Sequence, residues 1–114
     1  MNELATFAEA VREAADLPVE LRENAEQVKA LSRTSYDQSF LDLLDTQIKS
    51  SSRGPEWTDT LKQRRDALLP YCNKTLLKGR LEIGQDAYWV KVDLETQAVV
   101  YWECYENWSE RIKA

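Results

Sequence analysis

The chain has 114 residues, of which 43% are apolar and 31% charged, and its formal net charge is −5. This length and composition fit one globular domain and exclude a wholly disordered chain. No apolar run approaches the roughly 20 residues of a membrane-spanning helix, and the acidic, amphipathic N-terminus lacks the pattern of a signal peptide. We therefore expect a cytoplasmic protein without a membrane partner.

The charge is distributed unevenly along the chain. Residues 1–45 hold ten acidic and four basic side chains, residues 46–80 hold three and eight, and residues 81–114 hold seven and three. In one interpretation the charges are matched within the protein, and the basic segment packs between acidic ones through weak surface ion pairs. The other is an acidic surface that steers a basic partner. Because nucleic-acid binding normally needs a basic surface, we expect no nucleic-acid partner.

The residue types of common catalytic and cofactor sites are scarce. The chain has no histidine, which removes the commonest general base, and three glycines, too few for a common phosphate-binding loop. Cys72 and Cys104 are too few for a disulfide framework, and without histidine they make a weak zinc site. We therefore expect a protein that is not an enzyme and that holds no cofactor or metal.

Helical periodicity dominates the first 73 residues. A first helix is predicted after the N-cap Asn2, with an apolar face of Leu4, Phe7, Ala8, Val11 and Ala15. Pro18 begins a second predicted helix, whose apolar residues are Leu21, Ala25, Val28 and Leu31.

Two more helices are predicted before residue 73. Asp37 or Ser35 caps the third, which has an apolar stripe of Phe40, Leu41, Leu44 and Ile48. The polar run at residues 50–54 is a loop, and Pro55 after it suits the first turn of a fourth helix. That helix is expected to end or kink near Leu69, because Pro70 follows.

After Asn73 the apolar period changes from 3.6 to 2, which is typical of half-buried strands. LKGRLEI, AYWVKVD and AVVYWECY are the predicted strands, and DLETQA is a hairpin turn in which Gln97 stands where glycine is frequent. The predicted fold is α+β, with about four N-terminal helices followed by a three-stranded antiparallel β-meander. The chain is expected to be a single domain, residues 1–114, with its helices in residues 1–73, the β-meander in residues 75–106 and a short C-terminal turn in residues 107–114.

The register of the last hairpin decides which aromatic side chains share a face. An uninterrupted register from the DLETQA turn places Val90 opposite Tyr101 and Trp89 opposite Trp102. Neither face is then cleanly polar, so we expect both to contact something.

Two interpretations of the aromatic strand are open. In the first, its side chains are core, with the third and fourth helices over one face and the N-terminal helices, or the C-terminal segment through Trp108, over the other. In the second, they form an exposed patch that binds a partner, since tryptophan and tyrosine dominate interface energetics. The predicted binding residues are Trp89, Trp102, Tyr105, Trp108, Glu103 and Glu106.

Three functions follow from this pattern. We favour a small acidic, non-enzymatic protein-binding module, of the inhibitor or immunity-protein type, that docks on a basic protein partner. The first alternative is a homodimeric accessory or structural protein that self-associates through one face or edge of its sheet. The second is a small-ligand-binding domain with a pocket between sheet and helices.

Overall fold

A computed structural model describes residues 2–108, which form four α-helices, a short 3-10 helix and four β-strands. In chain order these are α1 Glu3–Glu13, α2 Val19–Glu23, β1 Ala30–Ser35, α3 Gln38–Ser50, α4 Pro55–Leu68, the 3-10 helix Leu69–Tyr71, β2 Thr75–Ile83, β3 Asp86–Asp93 and β4 Ala98–Tyr105. The strands form one sheet in the order β1-β2-β3-β4, and β3 is antiparallel to β2 and β4. The α+β class is confirmed, but the sheet has four strands instead of three.

The chain divides into two compact units. The first, here called the sheet unit, comprises Met1–Thr34 and Leu76–Ala114, and the second, the helical unit, comprises Ser35–Thr75. Of the predicted C-terminal turn at 107–114, only Asn107 and Trp108 are described, and residues 109–114 lie outside the described residues.

The predicted starts of α1, α3 and α4 are confirmed. Asn2 and Asp37 each accept a first-turn backbone N–H of α1 and α3 at 3.0 Å. Pro55 is the first residue of α4, where its missing N–H is not needed. After α4 the chain tightens into a 3-10 turn that contains Pro70, which accounts for the predicted break near Leu69.

The second predicted helix is wrong beyond its first turn. It ends where the side chain of Asn24 donates from Nδ2 to the Glu20 carbonyl at 2.9 Å, and Ala30–Ser35 form strand β1 instead. The Lys29 N–H donates to the Arg80 carbonyl at 2.8 Å, which brings the chain beside β2. The apolar spacing up to position 31 fitted a helix, but serine and threonine in this stretch are poor helix formers, and β2 supplies backbone partners.

The core of the sheet unit lies between its helices and one face of the sheet, here called the core face. Its buried side chains are Phe7, Ala8, Ala10, Val11, Leu17, Leu21, Ala25, Leu77, Leu81, Val90 and Val92. Gly79 lies among the apolar residues of β2, and the ring of Phe7 fills the space above it. A Cβ atom at position 79 would lie 2.4 Å from Cζ of Phe7.

The helical unit is a hairpin of α3 and α4, and its buried apolar residues are Leu41, Leu44, Leu61 and Leu68. Arg65 on α4 pairs with Asp45 on α3 through Nη1 and Oδ1 at 2.7 Å. The two ends of the unit are joined by a backbone hydrogen bond, in which the Asn73 N–H donates to the Tyr36 carbonyl at 2.7 Å.

Candidate functional site

A β-bulge at Val100 sets the register of β4. Val92 lies opposite Val99, but the next residue of β3, Lys91, lies opposite Tyr101, so Val100 has no partner of its own on β3. An extra residue of this kind reverses which side chains of β4 face the core.

The predicted register is wrong for the part of β4 that follows the bulge. Trp102 lies opposite Val90 and Glu103 lies opposite Trp89, so neither the Trp89–Trp102 pair nor the Val90–Tyr101 pair exists. The pairing that starts at the DLETQA turn is correct, and the error begins at the bulge. Because side chains alternate along a strand, Trp89 and Trp102 lie on opposite faces of the sheet.

The face of the sheet opposite the core face is here called the second face. Its side chains form three rows across β2, β3 and β4, namely Lys78, Lys91 and Tyr101, then Arg80, Trp89 and Glu103, then Glu82, Ala87 and Tyr105. Trp89, Glu103 and Tyr105 therefore lie on one face, whereas the uninterrupted register had placed Glu103 and Tyr105 on the face opposite Trp89.

Trp89, Tyr105 and Trp108 form a cluster of half-buried rings on the second face, here called the aromatic cluster. The Trp108 ring centroid lies 6.2 Å from that of Trp89, edge-on, and 6.1 Å from that of Tyr105. Such centroid distances are those of favourable aromatic pairs. Ala87 precedes Trp89 by two residues on β3 and lies opposite Tyr105 on β4. Its small side chain leaves room for the third ring, that of Trp108.

Polar contacts hold the cluster in place. Asn107 has a φ of 55°, a left-handed conformation that asparagine tolerates well, and its N–H donates to Oδ1 of Asp86 at 2.9 Å. This turn follows β4 and immediately precedes Trp108. The Tyr105 hydroxyl donates to Oε1 of Glu103 at 3.2 Å, so one of the predicted carboxylates is a direct neighbour of the cluster.

Two cations from β2 lie against Trp89, and neither was predicted as a site residue. Lys78 Nζ is 5.4 Å and Arg80 Cζ is 5.5 Å from a Trp89 ring centroid, both within the range of cation–π contacts. Arg80 also pairs with Glu82 through Nε and Oε2 at 3.3 Å. The alternation in LKGRLEI placed both cations on the polar face of β2, but their contact with Trp89 depends on the strand register.

Trp102 is a core-face residue and belongs to a different environment. Its ring lies 5.9 Å from that of Tyr88 and packs against the edge of the core. Its Nε1–H donates to Oδ2 of Asp16, which lies between α1 and α2, at 2.6 Å. The structure therefore separates Trp102 from the aromatic cluster and connects it to the N-terminal helices.

Tyr88 and Cys104 lie opposite each other on the core face. Burial, together with a hydrogen bond with Cys104, raises the pKa of Tyr88 to about 12. Burial also raises the pKa of the Cys104 thiol, with added contributions from the charges of Asp86 and Glu106. Both groups are thus held in their protonated forms. Glu106 is exposed in the turn after β4.

The acid excess belongs to the sheet unit. Its described residues, 2–34 and 76–108, contain thirteen acidic and seven basic side chains, whereas the helical unit contains six of each. Of the eight basic side chains in the stretch 46–80, six lie in the helical unit, where acidic side chains match them in number. The uneven charge along the sequence therefore becomes a difference in charge between the two units.

Residues 2–108 lack two further features. No group of three or more cysteine and carboxylate side chains is placed to hold a metal ion there. No helix in the same range is long and apolar enough to cross a bilayer.

A comparison of the chain with protein-family models, with curated proteins and with solved structures finds no match in any of the three.

Proposed function

We propose that the protein is a non-enzymatic binding module that docks on a basic protein partner through the aromatic cluster and its neighbouring carboxylates. The observation that carries the proposal is that the unit bearing the aromatic cluster also bears the acid excess, thirteen acidic against seven basic side chains in its described residues. A surface with this charge accelerates encounter with a basic partner and repels acidic ones.

The three rings of the cluster have different roles in this proposal. Trp89 is already contacted by Lys78, Arg80 and Trp108, so it supports the other rings from within the sheet. Trp108 and Tyr105 lie beyond it and are the anchors. Both rings are rigid and carry a polar group, which is why tryptophan and tyrosine are enriched among residues that dominate binding energy.

The carboxylates supply charge around these anchors. Glu103 is hydrogen-bonded to the Tyr105 hydroxyl and Glu106 is exposed one residue beyond Tyr105. Trp102, predicted as a fourth aromatic contact, is left out of the proposed surface because it lies on the core face.

Self-association through the second face is a second candidate, and one observation favours it. The row Arg80, Trp89 and Glu103 has a cation at one end and a carboxylate at the other. A twofold axis parallel to β3 would place Arg80 of each copy over Glu103 of the other, which is the self-complementarity that a symmetric dimer needs. A monomeric mass in solution at high protein concentration would remove this candidate.

Affinity capture from a lysate of the native host tests the first proposal. The baits are the wild-type chain, Trp108→Ala, and Leu43→Ala as a control, since Leu43 is a 54% exposed apolar side chain of the helical unit. Circular dichroism establishes that each bait is folded. We expect the wild type and Leu43→Ala to retain a basic protein that Trp108→Ala loses, because truncating an anchor costs about 2 kcal/mol or more.

Two results would contradict the proposal. One is a partner retained equally by Trp108→Ala, which would show that the aromatic cluster is not the contact. The other is a Trp108-dependent partner that is acidic, which would show that the acid excess does not select it.

A further inference from the structure

We propose that Ser52, in the loop between α3 and α4, is a phosphorylation site for a protein kinase that selects serines flanked by basic side chains. The loop consists of residues 51–54. The proposal concerns the helical unit alone and does not rest on the proposed partner surface of the sheet unit.

Three consecutive serines at the end of α3 differ in what their hydroxyl groups do. Ser50 Oγ donates to the Thr46 carbonyl at 2.8 Å, and Ser51 Oγ accepts the Arg53 N–H at 3.3 Å. Ser52 is exposed, and its hydroxyl makes no hydrogen bond. Among the serines and threonines of residues 2–108 that lie outside helices and strands, Ser52 alone has an unbonded hydroxyl.

The backbone of the loop keeps Ser52 out of both helices. Ser51 ends α3 in an extended conformation, with φ −67° and ψ 130°. Gly54 has a φ of 99°, which favours glycine, and Pro55 has no N–H with which to continue a helix from α3. Ser52 therefore lies on a short, exposed, non-helical stretch. Such a surface loop is the part of a folded chain that a modifying enzyme reaches most readily.

Basic side chains on both sides of Ser52 indicate the class of kinase. Lys49, in the last turn of α3, precedes Ser52 by three residues, and Arg53 follows it directly; both are exposed. No acidic residue occurs between positions 46 and 55. A kinase with acidic groups beside its active site would attract this segment, whereas a kinase that selects acidic flanks would repel it.

The transfer requires ATP and Mg²⁺ as co-reactants, bound by the kinase. Ser52 Oγ attacks the γ-phosphorus of ATP and forms a new O–P bond, while the bond from that phosphorus to the β–γ bridging oxygen breaks. ADP leaves with the bonding electron pair, and the hydroxyl proton passes to an aspartate of the kinase. The phosphate adds a charge of about −1.5 to −2 to a unit that holds six acidic and six basic side chains, so a neutral unit becomes acidic.

A phosphorylation assay with the full chain tests the proposal. The chain is incubated with Mg²⁺, radiolabelled ATP and a soluble extract of the native host, and the labelled peptides are mapped by mass spectrometry. The chain isolated from the host is mapped in parallel. We expect one phosphate on Ser52 in the wild type and in the matched control Ser51→Ala, and loss of that phosphate in Ser52→Ala. A Lys49→Ala, Arg53→Ala double variant should be labelled at least about tenfold more slowly, because both charges that the kinase recognises are removed.

Three results would overturn the proposal. The first is the absence of phosphate at Ser52 both in the assay and in the chain from the host. The second is labelling of Ser52→Ala at the wild-type level. The third is labelling of the double variant at the wild-type rate, which would show that the basic flanks do not select the kinase. If circular dichroism shows that the double variant is misfolded, Lys49→Gln and Arg53→Gln are assayed singly, and wild-type rates in both would contradict the proposal equally.

Discussion

Replacing Gly79 with alanine should destabilise the sheet unit, although alanine normally strengthens a strand relative to glycine by about 0.5–1 kcal/mol. The new Cβ would lie 2.4 Å from Cζ and 2.6 Å from Cε2 of Phe7. Phe7 is fully buried, so its ring can move aside only by disturbing the core. Overpacking of this kind costs about 1–3 kcal/mol, which leaves a net loss of up to about 2.5 kcal/mol.

Urea unfolding followed by tryptophan fluorescence and circular dichroism measures this change as a lower midpoint. Phe7→Leu provides the background for a double-mutant cycle, because a smaller side chain relieves the contact with the new methyl group. In that background Gly79→Ala should cost much less. A Gly79→Ala protein with a higher midpoint than the wild type would refute the packing of Phe7 on Gly79.

Three further predictions concern single residues of the sheet unit. Trp102→Phe should lower the free energy of unfolding by about 0.5–1.5 kcal/mol. Adding Asp16→Ala to that variant should lower it little further, because both substitutions remove the same hydrogen bond. Gln97→Gly should raise the unfolding midpoint, since Gln97 has a φ of 57° and a left-handed conformation costs about 1–2 kcal/mol. The pKa of Tyr88 is raised to about 12 from 10.0, so the unfolded chain loses this proton first. Its stabilisation, present below about pH 10, should therefore fall as pH rises towards 12, and Tyr88→Phe should abolish that fall in alkaline urea titrations.

Elements with a strong local signal were predictable from the sequence. Asn2 and Asp37 cap helices because their side chains accept first-turn N–H groups, and Pro55 fits a first turn whatever the tertiary context. The DLETQA turn is equally local, since Asp93 Oδ1 accepts the Glu95 N–H at 3.2 Å.

Strand β1 was missed because its stability comes from a distant partner. The spacing of apolar residues up to position 31 agrees with a helix, and the competing strand exists only where β2 lies beside it. Periodicity within one segment cannot detect a backbone partner some fifty residues away, as with Lys29 and Arg80.

The candidate site was only partly predictable, and the bulge explains the remainder. The uninterrupted register placed Trp89 with Trp102 and apart from Glu103 and Tyr105, whereas one extra residue at Val100 brings Glu103 and Tyr105 to the face of Trp89 and moves Trp102 to the core face. No residue type in AVVYWECY marks a bulge, since the usual glycine signal is absent from that strand.

The most direct test of the proposed function is the association rate of the captured basic protein with the chain at several salt concentrations. The wild type is compared with a Glu103→Gln, Glu106→Gln double variant and with Trp108→Ala. If the acidic aromatic surface is the contact, the wild-type rate falls as salt rises and the double variant associates more slowly, while Trp108→Ala mainly dissociates faster. An association rate that changes with neither salt nor the glutamate substitutions would contradict a contact through the acidic aromatic surface.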